Sequence, residues 1–317
     1  QTWGWNYNWI CQFLGEKKIY IIIDRELNSI APFYLRNWGN LKILDFIGTR
    51  GSDYLDIISY STKYRDFLTK VFKHFRDSEF DILNIEDFRE NSKKESIIKK
   101  LAISMDLYHK ELDWCPSCSI DLNDDYQDIL SKKVLRGYRS RKRHMISDYG
   151  DFSIINGNDE DLDLHYGLHQ KRFASSWSGG TYSNKNTKLF MKNFYAYLLN
   201  SNLLHFKVLL LGGNHVASIL GGKLNNKVYI YTAALNHKFN RYGLGRMLYI
   251  EDILESEREG CENYDLMRGN EKYKKELGCK EMMNKKIVIA KREGDLERYM
   301  TYYKSVSKGY NFGPSMF

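Results

Sequence analysis

Residues 228–253 read VYIYTAALNHKFNRYGLGRMLYIEDI, and the change of pattern inside them decides the fold. The first part is β-branched and aromatic, as a strand is. From Met247 onward Met247, Ile250, Ile253 and Leu254 recur at helical spacing, with Glu251, Asp252, Glu255 and Glu257 on the other side and Gly260 as the stop. The joint is Asn240-Arg241-Tyr242-Gly243-Leu244-Gly245-Arg246. A Gly-x-Gly that opens a helix directly after a strand lets backbone approach a phosphate closely, and the unpaired amides and dipole of the first helical turn favour an anion there. Arg241 and Arg246 add positive charge. Upstream, FKVLLL, VASILGGKL and KVYIYTAAL are separated by Gly212-Gly213-Asn214 and Asn225-Asn226, which predicts an antiparallel meander. Downstream, Tyr264 to Gly269 reads as a strand, EKYKKELG as a short helix and KKIVIAK as a last strand.

This succession resembles the acyl-CoA-binding half of the GNAT N-acyltransferases, whose pyrophosphate loop reads Gln/Arg-x-x-Gly-x-Gly/Ala. Gly243 and Gly245 match that loop, and Asn240 stands at its first position. More closely, NHKFNRYGLGRMLYIEDI followed by YDLMRGNEKYKKELG looks like the CelD/BcsL branch, which is related to the FemAB peptidoglycan aminoacyltransferases and built from two GNAT-like lobes. The resemblance implies an α/β fold of two tandem GNAT-like lobes, each a mixed, mainly antiparallel sheet flanked by helices. Residues 1–124 would form the first lobe. Residues 125–317 would hold a basic interlobe helix and the second lobe with the acyl-CoA site.

The 317 residues suffice for two lobes, and with three prolines and no Gly/Ser-rich linker the lobes are expected to pack directly. No apolar run approaches the roughly 20 residues that span a bilayer. The opening QTWGWNYNWI lacks the charged and apolar regions of a signal peptide, so a cytoplasmic protein is expected. A net charge of +8 and a pI near 9.0 suit an anionic partner without naming it. Five cysteines in a chain this long do not suggest a secreted disulfide framework. Cys115-Pro-Ser-Cys118 has no second ligand pair for zinc and reads as two reduced thiols in a loop or at a strand edge; Cys11, Cys261 and Cys279 read as buried or incidental. No metal is expected.

Along the chain, an aromatic helix starts near Trp3, and strands are expected at Lys18–Asp24, Ser29–Tyr34, Leu41–Ile47, Asp81–Ile85 and Ser96–Leu107. Tyr64, Phe67, Leu68, Val71 and Phe75 mark an amphipathic helix. The run SKKVLRGYRSRKRHM holds Lys132, Lys133, Arg136, Arg139, Arg141, Lys142 and Arg143, beside an apolar stripe from Tyr126 to Tyr138. Without a helix-turn-helix, RRM-like motif or zinc knuckle, nucleic acid is the lesser reading. The preferred one is an interlobe helix whose arginines meet an anionic substrate or a lipid headgroup surface at the inner face of the membrane. A helix over Glu160–Arg172 is expected to bury Leu162, Leu164, Leu168 and Phe173. His165 and His169 share its face at the spacing of a metal pair, but with no HExxH glutamate or third ligand they read as solvated or core histidines. Trp177-Ser178-Gly179-Gly180 reads as a loop.

Direct acyl transfer needs a held acyl donor, a deprotonated amine and a partner for developing negative charge, and no covalent intermediate. That agrees with the lack of a Ser/His/Asp or Cys/His signature. By resemblance, the strand through Ala233 and Ala234 lies along the pantetheine, and Asn240, Arg241, Tyr242, Gly243, Leu244, Gly245 and Arg246 hold the pyrophosphate of acetyl-CoA or another acyl-CoA. Tyr273 or Lys274 would protonate or stabilise the leaving group. Asp265 and Glu271 join Asp53 and His169 as candidate bases. Asp53, Tyr54, His169, Arg172 and Arg268 are implied substrate contacts, Asp53 and Tyr54 through FIGTRGSDYLDII and the others through LHxxR and Arg-Gly-x-Glu-x-Tyr-Lys. The implied reaction is N-acylation of an amino sugar, carried on a nucleotide or lipid, in surface-polysaccharide assembly. The alternatives are transfer from aminoacyl-tRNA to a cell-wall precursor, or a binding module without turnover.

Overall fold

A computed structural model describes residues 2–26, 28–49, 51–89, 93–173 and 184–307. The loop expected at Trp177 to Gly180, and Arg50, lie outside them. Two compact units result: the chain up to Pro116 joined by the stretch from Met282 onward, and residues 117–281. The break therefore falls before the expected 124/125. The end of the chain returns to the first unit, because residues from Asn284 to Ala290 pair with the strand at 82–89. Such a return is a long-range pairing that no local pattern announces.

Unit 1 contains α1 (Trp3–Phe13), β1 (Lys18–Ile23), β2 (Ser29–Trp38), β3 (Leu41–Phe46), β4 (Ile58–Ser59), α2 (Tyr64–Asp77), β5 (Ile82–Arg89), α3 (Lys93–Ser104) and most of β6 (Tyr108–Asp121). Unit 2 continues with α4 (Tyr126–Ile129), α5 (Lys132–Tyr149), β7 (Phe152–Asn156), α6 (Asp159–Phe173), α7 (Lys185–Asn200), β8 (Leu204–Leu211), β9 (Asn214–Leu224) and β10 (Lys227–Leu235). A 3₁₀ turn (His237–Tyr242), α8 (Leu244–Arg258), β11 (Asn263–Arg268) and α9 (Lys272–Glu276) complete it. From β12 (Lys280–Ala290) the chain re-enters unit 1 and ends its described part in α10 (Glu293–Ser307).

Strand order in unit 1 is β1-β2-β3-β5-β12-β6, with β4 against β2. β3 and β5 are parallel, joined across α2, whereas β1–β2, β2–β3 and β5–β12 are antiparallel. In unit 2 the order is β6-β11-β10-β9-β8-β7. One pair, β10–β11, is parallel, and the other four are antiparallel. Each unit is thus a mixed, mainly antiparallel sheet flanked by helices, with a parallel pair at β3–β5 in one and β10–β11 in the other. The α2 face expected from its periodicity is buried, Leu68 and Phe75 completely, in one cluster with Phe33, Phe46 and Leu83, and Phe72 is buried beside them. Likewise Met247, Leu248, Ile250 and Ile253 of α8 pack on Val228, Ile230, Ala217 and Ile219.

Three expectations are corrected. Ser96–Leu107 is mainly helix, not strand: Ile98, Leu101 and Ala102 are buried on one side, and Lys99 pairs with Glu95 one turn back at 2.8 Å. The i, i+3, i+4 spacing of these buried residues is a helical period. Cys118 is joined to Cys279 in a disulfide (Cα–Cα 5.6 Å), while Cys115 is a buried thiol that donates to Asp87 at 3.3 Å. Leu164 is exposed on α6, whose packed side carries Leu162, His165, Tyr166 and His169 instead. The basic helix α5 lies in unit 2, where Tyr138 and Met145 join the same core cluster as α8.

Candidate functional site

The parallel strands of unit 2 pair only at their beginnings. The β10–β11 register runs from Lys227–Asn263 to Tyr229–Asp265, whereas β10–β9 pairing continues to Leu235–Ala217. Beyond Tyr229 the two strands part. A bulge sits at the point of parting: Ile230 faces Gly221, but Thr232 faces Leu220, so Tyr231 is an inserted residue. Gly221 is required opposite it, because a Cβ there would run into the Tyr229 carbonyl. The insertion reverses the alternation of the strand. Leu235 then meets Gly245 of α8, while Thr232 turns to His165 of α6.

At the far end of β10 the chain makes its 3₁₀ turn and enters α8 through Gly243, which has φ 63° and ψ 48°, the left-handed region that glycine occupies without strain. Gly243 is also the cap residue of α8 and offers no side chain to the first amides. Two guanidinium groups flank this helix start. Arg141 of α5 lies with its Nε 3.6 Å from where a Gly243 Cβ would stand, and Arg246 is paired with Glu276. The Nε atoms of both are buried without a hydrogen-bond partner among the described residues. Burial, then the proximity of Arg246, pushes the Arg141 guanidinium down from its ordinary value. Two orphaned N–H donors, two positive charges and an uncapped helix N-terminus fit a phosphate or diphosphate group.

Beside the start of β10, β11 itself bends between Asp265 and Arg268, where its pairing register shifts. Asp265 is fully buried and its carboxylate accepts the Met267 amide at 2.8 Å, holding Met267 at φ 60°. Lys274 is buried as well: its ammonium donates to the Arg268 carbonyl at 2.5 Å and lies 3.1 Å from Glu271. Tyr273 stacks on Tyr249 of α8, ring centres 5.6 Å apart, and the two hydroxyls are hydrogen-bonded. Burial, then the charge of Glu271, pushes the Tyr273 phenol up to about 12, so it holds its proton at neutral pH and can donate it. Arg172 acts on both phenols, and on His169 one turn earlier, whose pKa burial lowers to about 4.

Residues 132–275 match the Acetyltransf_6 model, an acetyltransferase (GNAT) domain. The structure of FemX superposes on 90% of this chain and 91% of its own, with TM-score 0.63 and 10% identity. L-PGS from Bacillus licheniformis superposes on 96% of this chain and 96% of its own, with TM-score 0.57 and 11% identity. The chain has the GNAT fold. No curated protein matches it in sequence.

On this GNAT frame the sequence-predicted residues separate into groups. Arg172, Glu271 and Tyr273 come together around Tyr249, with Lys274 and the Arg268 carbonyl adjoining, and His169 lies one turn before Arg172 on α6. Gly243, Gly245 and Arg246 form the helix start, where Leu244 is a core residue. Arg241 is turned away, to Asp148 at 3.2 Å and to the Tyr242 hydroxyl, and Asn240 bonds His237. Ala233 packs toward the α8 core and Ala234 is fully buried. Asp53 and Tyr54 are in unit 1, where the Asp53 carbonyl accepts from Asn284 at 3.1 Å.

Sequence reading missed Arg141 and Tyr249. Arg141 was one basic residue among seven, and its place three residues after Tyr138 and four before Met145, both buried, was the available signal. Among the described residues no group of three His, Cys, Asp or Glu could hold a metal, and no helix is long and apolar enough to cross a membrane.

Proposed function

We propose that the chain transfers an acyl group from acyl-CoA to an amine by direct attack. The observation that carries this is the start of α8, where Gly243 leaves the helix uncapped between the orphaned Nε donors of Arg141 and Arg246. A diphosphate placed there directs the rest of the donor toward the parting of β10 and β11. Tyr273, held protonated and backed by Tyr249, is the group suited to protonate the departing thiolate. Lys274, with its ammonium already engaged by the Arg268 carbonyl and Glu271, serves to hold the bend and the electrostatics around Tyr273. The acceptor class, an amino sugar of a surface polysaccharide on a nucleotide or lipid carrier, comes from the CelD-like resemblance. Calorimetry with acetyl-CoA tests the donor. Binding in the micromolar range, with turnover on an amino-sugar panel that falls about 100-fold in Tyr273→Phe, is the expected result. Absence of binding to any acyl-CoA by folded protein would overturn the reading.

A second reading, aminoacyl transfer from tRNA, is favoured by a separate observation. Lys132, Lys133, Arg136, Arg139 and Arg143 of α5 are all exposed, while Arg141 and Lys142 turn inward. The likeness to FemX over nine-tenths of the chain supports it at the level of fold. Filter binding with tRNA separates the two.

A further inference from the structure

β1 is the edge strand of the unit 1 sheet: it pairs with β2 on one side and with no strand among the described residues on the other. The direction of its backbone groups follows from the turn that closes the hairpin. The Asp24 amide donates to the Ser29 carbonyl at 3.1 Å, in the same register that sets Ile23 against Ile30, Ile22 against Ala31 and Tyr20 against Phe33. In an antiparallel ladder the backbone groups of successive residues point to alternate sides. Lys18, Tyr20 and Ile22 therefore bond β2, and Ile19, Ile21 and Ile23 turn their amides and carbonyls outward. Pro32, opposite Ile21, agrees with this, because it has no amide to give β1.

The same three isoleucines are the exposed ones. Ile19, Ile21 and Ile23 are 45%, 46% and 52% exposed, whereas Tyr20 and Ile22 pack on the core cluster of α2. A soluble protein ordinarily blunts such an edge with lysine, proline or a bulge. Between Ile19 and Ile23 there is none of these, and the β1–β2 register runs without a shift.

An edge of this kind is complementary to itself. Two copies laid antiparallel about a two-fold axis at Ile21 place Ile21 opposite the partner's Ile21 and Ile19 opposite the partner's Ile23. These are the residues whose backbone groups face out, so each such pair exchanges two N–H···O bonds. Lys18 comes opposite the partner's Asp24, in a non-hydrogen-bonded pair, where side chains approach most closely. Lys18 is exposed. Asp24 gives Oδ1 to the amides of Asn28 and Ser29 at 2.7 and 3.2 Å, and its Oδ2 has no hydrogen-bond partner among the described residues. Moving the axis to Tyr20 would set Lys18 against the partner's Ile22, and moving it to Ile22 would set Tyr20 against the partner's Asp24. Of the three, the axis at Ile21 matches apolar with apolar and ammonium with carboxylate.

We propose that β1 is a homodimer seam, through which a second copy of this chain extends the unit 1 sheet across a two-fold axis at Ile21. The occupant is a copy of the chain because the charge pattern, the apolar pattern and the outward backbone groups all close on themselves under that axis. The seam is independent of the acyl-transfer reading.

The test combines sedimentation with amide exchange. Over a concentration series, sedimentation velocity should show the 37.5 kDa monomer passing to a dimer. Ile21→Lys brings two ammonium groups together on the axis and should abolish the dimer, with circular dichroism showing the fold retained. Lys18→Asp sets carboxylate against carboxylate and should weaken association about tenfold or more. Ile58, itself exposed, shares the isoleucine face through Ile30 but lies off the edge, so Ile58→Lys should leave the dimer intact. In wild type the amides of Ile19, Ile21 and Ile23 should exchange slowly, with protection that rises with protein concentration. Monomer at every concentration overturns the seam, and so do edge amides that exchange as freely as solvated ones, a result that needs no variant to fold. A dimer lost in Ile58→Lys and kept in Ile21→Lys overturns it in favour of packing between sheet faces. A monomer that binds phosphatidylglycerol vesicles, and loses them in Ile21→Lys, overturns it in favour of a lipid surface.

Discussion

Arg141 and Arg241 exchange the roles that their positions in the sequence suggest. Arg241 adjoins the glycine loop but is spent on Asp148 and Tyr242, whereas Arg141, a hundred residues upstream, aims an unpartnered Nε at Gly243. Arg141→Ala should weaken acetyl-CoA binding about tenfold, the worth of one charge-assisted hydrogen bond of ~1.5 kcal/mol. Arg241→Ala should change it less than twofold by the same calorimetry. Acid stability is also decided by single side chains. His169 ordinarily titrates near 6.5 and here near 4, because burial and Arg172 disfavour the imidazolium. Its pKa is lower folded than unfolded, so stability is full above pH 6.5 and declines as pH falls toward 4, by on the order of 3 kcal/mol from this residue. His165 acts in the same direction. Denaturant titrations at a series of pH values should show this decline, and His169→Gln should flatten part of it.

The elements show where local pattern suffices and where it fails. The meander, the β10-to-α8 joint and the helical face of α8 were legible, because residue alternation and 3.6-residue periodicity are properties of a short stretch. Gly243→Val should therefore act as the sequence suggests. A β-branched residue at φ 63° is strained, and its side chain stands where an anion would approach. We expect a loss of ~1–3 kcal/mol in stability together with loss of acetyl-CoA binding in the folded variant, read by thermal melts beside calorimetry. The bulge at Tyr231 was not legible. Nothing in YIYTAAL marks the inserted residue, and it exists because Gly221 on the neighbouring strand admits the Tyr229 carbonyl. That one insertion exchanges the faces that the following residues occupy, so that Thr232 is aimed at His165. The α6 helix was expected, but its packed side was displaced from Leu164 to His165 and His169 because β9 and β10 offer hydroxyls there.

For the molecule as a whole, the exposed basic residues of α5 separate the two donors. If tRNA is the donor, its affinity should fall by orders of magnitude between 50 and 200 mM salt, on the counterion-release estimate of about 10³-fold or more for six or more phosphate contacts. Replacing Lys132, Lys133, Arg136 and Arg139 by Gln should reduce that slope. With acyl-CoA as donor, the same substitutions should leave turnover within about twofold, because Arg141 and Arg246 remain. By itself the sequence determined the α/β class, the antiparallel meander and the glycine joint that opens α8, because each is written in the spacing of neighbouring residues. Only the tertiary structure decided that the chain re-enters unit 1 after residue 282, that Cys118 bonds Cys279, which one of seven basic residues turns to the helix start, and that Asp161, His215, Ser218, His165 and Thr232 join in one chain. Those outcomes depend on contacts between segments distant in sequence, whose register is set by packing rather than by any local period.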